Sequence, residues 1–337
     1  MDAHTIARLK KTGVIKIRGT LPRADAARLN VAMEQEMRTC LGVDPSNPAT
    51  YEFVYDLADP KAFTLGGVQE MYYTHAQFEA REHEQMLKVR VWLNKIWDFM
   101  SDPNEADSDT DAARSECLYL PEAELCYVDR WRHRLPGFRT QTGMKEHIDN
   151  GAMSRWADPA WQDVYKAIMA GKLDEYDAWK VGERVNTKGV CTVCRSFQGW
   201  LALNVCVCVC VCVCVCVCVC VCVCVCLYTH MYDVCKYIQV FRSFQGWLAL
   251  SAQGPNDGTL EVVPLVAEAM AYVLLRPFLP DVPVHQLCGV NDTGGGDTLE
   301  ITSRWHALLL RAKLPIGHVD PGDTVCTHIR QTYKADI

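Results

Sequence analysis

The sequence has little concentrated positive charge. Its 34 Lys and Arg residues are outnumbered by 41 Asp and Glu residues, the formal net charge is −7, and no long basic block occurs. Phosphate contacts require a concentrated basic surface, so this composition argues against a nucleic-acid-binding protein. The N-terminal stretch MDAHTIARLKKTGVIKIRG also lacks the apolar core of a secretory signal. We therefore expect a cytoplasmic protein.

Cysteine is sparse outside one unusual segment. Of the 19 cysteines, 11 lie in an unbroken Val-Cys alternation over residues 205–226, and the other 8 are scattered along the chain. Scattered cysteines at this density are typical of a reduced intracellular protein and argue against a disulfide scaffold.

The Val-Cys run is compatible with three structures, and each meets a difficulty. Strict alternation is the period of a strand, but 22 residues at about 3.3 Å each would extend for roughly 70 Å. The length and apolarity suit a membrane-spanning helix, yet valine and cysteine are poor helix formers, and aromatic and basic belts do not flank the run on both sides. Evenly spaced thiols do not build a tetrahedral metal site.

The flanks of the run indicate a different origin. The nonapeptide RSFQGWLAL occurs at residues 195–203 and again, unchanged, at residues 242–250, an offset of 47. Two copies do not make a repeat array, and Val-Cys is what a GT dinucleotide repeat encodes in one reading frame. The sequence therefore predicts that residues 195–241 are an inserted duplicate that carries low-complexity sequence. A membrane anchor formed by the run is the less favoured alternative.

The rest of the chain predicts a single α+β domain over residues 1–337. Apolar residues at helical spacing predict a helix containing Ala26, Leu29, Met33 and Met37, and a second helix over AQFEAREHEQMLKVRVWLNKIWDFM. Residues 101–116 are acidic and almost free of apolar side chains, which predicts a solvated loop. Short strands with helical interruptions follow, and this order is typical of an α+β domain built around a β-sandwich or barrel.

The sharpest chemical signal is the stretch KEHIDNG. His147 and Asp149 are two positions apart, so on a strand they project to the same face. An imidazole and a carboxylate on one face can supply two ligands to a divalent iron, and a distant histidine would complete a facial triad. The alternative is a surface turn capped by Asp149 and Asn150.

The order of the motifs extends this interpretation. The stretches HIDNG, RSFQGWLALS, DGTLEVVPL, AYVLLRPF and PGDTV resemble those of the family known as domain of unknown function 1479. Its members are similar to phytanoyl-CoA hydroxylase-type dioxygenases. The resemblance implies a double-stranded β-helix (jelly-roll, cupin-like) core with N-terminal and flanking helices. It also implies Fe(II) as cofactor, 2-oxoglutarate as co-substrate and hydroxylation of a small molecule.

The resemblance assigns the site residues one by one. His147 and Asp149 match the near metal ligands, and His328 matches the first of two histidines expected after PGDTV. Tyr333 stands where the resemblance places the distal ligand, so His328 is the remaining candidate for the third ligand. The arginine expected to bind the far carboxylate of 2-oxoglutarate is not reached before Ile337. The resemblance therefore implies either an impaired dioxygenase or a catalytically inactive relative, and the sequence predicts neither the substrate nor the oligomeric state.

Overall fold

A computed structural model gives the architecture of the chain. The residues that it describes are 2–47, 49–50, 68–69, 71–97, 117–125, 131–132, 146–149, 154–181, 190–195, 237–254, 259–279, 298–328 and 333–335. The Val-Cys run, the acidic stretch 101–116 and all but the first residue of the earlier RSFQGWLAL copy lie outside these ranges.

Nine α-helices occur in the described residues. In chain order they are α1 (Ala3–Thr12), α2 (Arg23–Leu41), α3 (His75–Glu82), α4 (Glu84–Asn94), α5 (Ser154–Ala157), α6 (Pro159–Val164), α7 (Lys166–Met169), α8 (Val266–Leu275) and α9 (Ser303–Arg311). Two 3-10 turns, Leu173–Glu175 and Arg276–Phe278, follow α7 and α8.

Thirteen strands accompany them in the described ranges. They are β1 (Val14–Ile17), β2 (Val68–Gln69), β3 (Cys117–Leu125), β4 (Trp131–Arg132), β5 (His147–Asp149), β6 (Val190–Arg195), β7 (Tyr237–Arg242), β8 (Phe244–Leu248), β9 (Leu260–Val262), β10 (Thr298–Glu300), β11 (Leu314–Pro315), β12 (Thr324–His328) and β13 (Tyr333–Ala335).

The strands form four sheets. Two of them concern the site: a three-stranded antiparallel sheet in the order β1-β12-β8, and a five-stranded antiparallel sheet in the order β10-β5-β13-β9-β11. The third sheet, β3-β6-β7, is parallel, and the fourth pairs β2 with β4. The described protein is thus mixed α and β, and the jelly-roll core stays a prediction.

Helix α2 shows how the sequence pattern determines the packing. Ala26, Leu29, Met33 and Met37, the residues predicted to share one stripe, are the buried positions of the helix. The helix ends at Gly42, whose φ of 69° is readily adopted only by glycine, and the glycine N–H donates to the carbonyl of Met37. The prediction for this helix is confirmed.

The second predicted helix is two helices. Helix α3 ends at Glu82 and α4 begins at Glu84. His83 between them is the N-cap of α4, and its imidazole accepts a hydrogen bond from the N–H of Gln85. At the start of α3, Thr74 and Gln77 form a reciprocal capping box. The prediction of one continuous helix was wrong because a local cap at His83 interrupts an otherwise suitable apolar pattern.

The later RSFQGWLAL copy contains strand β8, which lies beside β12 at the edge of the described part of its sheet. Strand β8 pairs with β12 so that Gly246 lies opposite Cys326, where a Cβ on Gly246 would overlap the carbonyl of Val325. The glycine of the motif is therefore required by the close approach of the two strands. Phe244 of the same strand is fully buried, against Trp97 and Trp179.

The strands that lead into the two RSFQGWLAL copies pair with each other in the parallel sheet. Strand β6 pairs with β7 in a register that runs from Val190 opposite Tyr237 to Arg195 opposite Arg242. This register is a shift of 47 residues, the same as the offset between the copies. The first residues of the two RSFQGWLAL copies, Arg195 and Arg242, therefore lie side by side on neighbouring strands.

No helix within the described ranges is long and apolar enough to cross a bilayer.

Candidate functional site

The site is centred on the short strand β5. His147 and Asp149 project from the same side of this strand, as period-two alternation requires, and His147 Nε2 lies 3.3 Å from Asp149 Oδ1. Their side chains are 12% and 11% exposed, so both groups are largely shielded and remain partly accessible. Ile148 between them is fully buried and anchors the strand in the core.

Neighbouring strands hold β5 on both sides. Strand β10 places Thr298 opposite Asp149 and Glu300 opposite His147. On the other side, Tyr333 of β13 lies opposite His147. The backbone position that the resemblance assigns to the distal ligand is therefore adjacent to the pair.

Asp149 is fixed through two groups. Gln245 donates from Nε2 to Asp149 Oδ2 at 2.6 Å, and the guanidinium of Arg155 donates to the Asp149 carbonyl at 2.6 Å. Arg155 is fully buried and also donates to the hydroxyl of Tyr165 at 2.8 Å. Both the backbone and the carboxylate of Asp149 thus have defined positions.

A half-buried lysine links the residue before β5 to β9. Lys313 Nζ lies 2.7 Å from Glu146 Oε1 and 2.9 Å from Glu261 Oε2. Burial alone would lower the pKa of Lys313, but the hydrogen bonds and charges of the two glutamates outweigh it and raise the pKa. The lysine stays charged and stabilises the strand directly before His147.

His328 lies in different surroundings. It ends β12, where it is fully buried, with Trp97 stacked at 4.8 Å and Trp179 edge-on at 4.6 Å between ring centroids. Its Nε2 is 3.0 Å from the carbonyl of Ala178. Among the described residues no three His, Cys, Asp or Glu side chains converge on one point. The structure therefore brings His147 and Asp149 together but does not bring His328 to them.

The packing of His328 leads to a test of its role. We expect His328→Ala to lower the free energy of unfolding by about 2–4 kcal/mol, because it leaves a cavity between two tryptophans and removes the partner of a carbonyl. Chemical denaturation measures this loss. The matched variant His328→Phe keeps an aromatic ring and should lose less stability. A folded His328→Phe chain that binds Fe(II) much more weakly would instead show that His328 is a metal ligand.

The donor set suits two positions of an iron site. Two ligand atoms bound at about 2.1 Å from one metal, at right angles, lie about 3 Å apart, close to the 3.3 Å between His147 Nε2 and Asp149 Oδ1. An imidazole nitrogen with a carboxylate oxygen is the mixed set found at non-haem Fe(II) centres. His147 and Asp149 therefore fit such a metal as a ligand pair.

Sequence reasoning missed Gln245 and Arg155. The signal for Gln245 is a polar side chain inside the apolar motif RSFQGWLAL, but the motif occurs twice and the sequence does not distinguish Gln198 from Gln245. Arg155 has no comparable signal, since its contact with a backbone carbonyl depends on tertiary structure alone.

Fold and site together define a protein of mixed helix and sheet with a His-x-Asp pair on a sheet strand, and the comparisons give its family. A sequence profile of the Gig2-like family matches residues 1–207 and 226–336. The chain belongs to the Gig2-like family, which confirms the family indicated by its motifs. The residues between the two matched parts fall inside the Val-Cys run.

Relatives from bacteria and yeast share the fold. The Escherichia coli K12 protein YbiU, described as uncharacterized, is 31% identical over 97% of this chain and 63% of its own length. The Escherichia coli protein JW0805 has a TM-score of 0.67 at 28% identity, over 99% of this chain and 64% of its own. The "Putative Oxidoreductase" of Salmonella typhimurium LT2 has a TM-score of 0.66 at 28% identity, over 99% and 66%. The chain thus spans less than two thirds of the length of these relatives.

A more distant relative, GlcNAc Inducible Gene 2 (DUF1479) of Candida albicans, has a TM-score of 0.65 at 21% identity, over 100% of this chain and 60% of its own. At this identity the likeness concerns the fold alone.

Proposed function

We propose that this chain binds Fe(II) through His147 and Asp149 and belongs to the oxidoreductases that use 2-oxoglutarate to hydroxylate a small molecule. The observation that carries the proposal is the 3.3 Å approach of His147 Nε2 to Asp149 Oδ1 on one face of β5. The relative named "Putative Oxidoreductase" and the motif resemblance to phytanoyl-CoA hydroxylase-type enzymes support the same reaction class. We place this activity in the cytoplasm, in keeping with the composition of the chain.

The chain's own groups would have distinct tasks. His147 supplies a neutral imidazole nitrogen, and Asp149 supplies a negative charge that offsets the positive charge of the metal. Their partial burial limits access of bulk water, which strengthens electrostatic interactions at the site. Bound Fe(II), together with 2-oxoglutarate, would supply the oxygen chemistry that protein side chains do not provide.

The test is an anaerobic Fe(II) titration of the full chain. We expect His147→Ala and Asp149→Ala each to weaken binding by at least about tenfold, since loss of a direct ligand should cost no less than loss of a group behind one. His318→Ala, which changes an exposed histidine outside the site, is the matched control and should bind as the unmodified chain does. Equal affinities in all four proteins would remove the assignment.

A catalytically inactive protein of the same fold is the second candidate. It is favoured by Tyr333, which occupies the position opposite His147 in β13 where the resemblance expects a histidine. Succinate formation from 2-oxoglutarate, with Fe(II) and ascorbate present, separates the two candidates. Iron binding without succinate formation would identify the chain as an inactive relative.

A further inference from the structure

The hydrogen bond between Gln245 and Asp149 joins two sheets at the site. Gln245 lies on β8, opposite Thr327 of β12, whereas Asp149 lies on β5 of the five-stranded sheet. Taken as whole residues, backbone included, Gln245 is 4% and Asp149 8% exposed, so both are buried. The amide reaches the carboxylate at 2.6 Å. A bond this short, in these surroundings, holds both groups firmly because neither can exchange its partner freely for water.

The bond distinguishes the two carboxylate oxygens of Asp149. Oδ2 accepts from Gln245, while Oδ1 is the oxygen 3.3 Å from His147 Nε2. A carboxylate without such a donor can rotate and bind a metal through either oxygen or through both. With Oδ2 engaged by the amide, Oδ1 is the oxygen presented beside the imidazole.

We propose that Gln245 is the positioning residue of the His147–Asp149 pair, and that it restricts Asp149 to binding a divalent metal through Oδ1 alone. This inference rests on the proposed function. Groups that hydrogen-bond to a metal ligand orient it and tune the site, and their loss typically weakens metal binding about 10–100-fold.

The surroundings of the bond support a fixed geometry. Arg155 holds the backbone of Asp149 at the carbonyl, so the side chain pivots from a fixed point. On β8, the residue after Gln245 is Gly246, whose contact with β12 leaves no room for a Cβ. That contact fixes the distance between β8 and β12. It therefore also fixes the backbone position from which the Gln245 side chain extends to Asp149. Rigid support of this kind is what a metal ligand needs in order to be preorganised.

The duplication supplies a matched control. The earlier copy RSFQGWLAL carries Gln198 at the position equivalent to Gln245. The variants Gln198→Met and Gln245→Met remove the same amide from the same local sequence. Methionine has nearly the length of glutamine but no donor, so the substitution at 245 removes the hydrogen bond with little change in volume.

The experiment has a metal-free part and a metal-binding part, both on the full chain. In the first, side-chain amide NMR of glutamine-labelled protein follows the Gln245 signal, identified by its absence in Gln245→Met. We expect its protons to exchange slowly with solvent, and to exchange rapidly in Asp149→Ala. Rapid exchange of the Gln245 amide protons in the unmodified chain would overturn the inference, because it would show that Gln245 forms no lasting hydrogen bond with Asp149.

The second part is an anaerobic titration with Co(II). The titration measures the affinity of the chain for Co(II), and the visible spectrum of the bound Co(II) reports its coordination geometry. We expect Gln245→Met to bind Co(II) about 10–100-fold more weakly with an altered spectrum, and Gln198→Met to match the unmodified chain. If Gln245→Met is folded and binds with unchanged affinity and spectrum, the positioning role is wrong while the His147–Asp149 site stands. If the unmodified chain binds no Co(II), the proposed function and this inference both fall.

Discussion

Replacing Arg90 with methionine should lower the free energy of unfolding by about 3–5 kcal/mol, the usual cost of removing one partner of a buried ion pair. Arg90 of α4 donates to Glu124 Oε2 of β3 at 2.5 Å, and the two side chains are 1% and 4% exposed. Asn94 donates to the other carboxylate oxygen of Glu124 at 2.8 Å. Without Arg90, the carboxylate is left buried with no opposing charge from this partner.

The loss should depend on pH in a defined direction. Burial raises the pKa of Glu124. The positive charge of Arg90 is the larger of the two effects that lower this pKa, the other being the hydrogen bond from Asn94. Removing Arg90 therefore raises the folded-state pKa further above the unfolded value. Stability of the variant is retained below the unfolded pKa, where Glu124 is neutral in both states, and is lost as pH rises through the raised folded pKa.

Denaturation with urea at pH 4 and at pH 7 measures both effects. The variant should be much less stable than the unmodified chain at pH 7 and closer to it at pH 4. Lys88→Met is the matched control on the same helix, because its partner Glu84 is exposed and surface pairs contribute little. An Arg90→Met chain as stable as the control at pH 7 would show that this ion pair does not hold α4 to β3.

Deleting residues 195–241 should give the largest gain in soluble protein. The deletion joins Cys194 to Arg242, and the structure shows why the chain can close. Arg195 and Arg242 are partners on adjacent parallel strands. To join Cys194 to Arg242, the ends of these strands must therefore shift by only about one strand spacing, roughly 4.8 Å. The joined sequence VCTVCRSFQGWLAL runs from β6 directly into β8.

The deletion keeps the contacts that the described copy makes. Ser243, which bonds to Asn94, and Gln245, which bonds to Asp149, both remain in the shortened chain and should keep these bonds. The deletion also removes the Val-Cys run of residues 205–226, which has high β propensity and neither charge nor proline, and this is a signature of aggregation. We therefore expect a higher soluble fraction and a sharper, higher melting transition in a reducing cytosol.

A second deletion separates the run from the duplicate. Removing 208–225, the part of the run outside the family match, keeps both RSFQGWLAL copies. If aggregation stems from the run, this form should gain nearly as much solubility as the larger deletion. If it stems from two copies competing for one position, only the larger deletion should help. The run would belong to the structure if both deleted forms were less soluble than the full chain. The same would follow if the full chain resisted carbonate extraction from membranes.

The sequence predicts local features of the fold and site well. The apolar spacing of α2 gives its buried face, and the period of a strand places His147 and Asp149 on one side of β5. Both predictions need only short-range geometry. The break at His83 was not predicted because a histidine acting as an N-cap has no distinctive pattern.

The contacts that complete the site could not be predicted, because they join distant parts of the chain. Gln245 reaches Asp149 across two sheets, and His328 packs with Trp97 and Trp179. A motif gives the position of a histidine in the chain but not which neighbours surround it after folding. The duplication added a further ambiguity, since the sequence does not show which of the two copies supplies the glutamine that bonds to Asp149.

The pairing of β6 with β7 has a consequence for how molecules of this protein can associate. Val193 lies opposite Val240 and Arg195 opposite Arg242, while the other paired residues differ, so the pairing depends on the backbone and not on identical side chains. Within the described part of this sheet, β7 has a partner on one side only. A strand of a neighbouring molecule could pair there through its backbone, and that strand would in turn present an edge for the next.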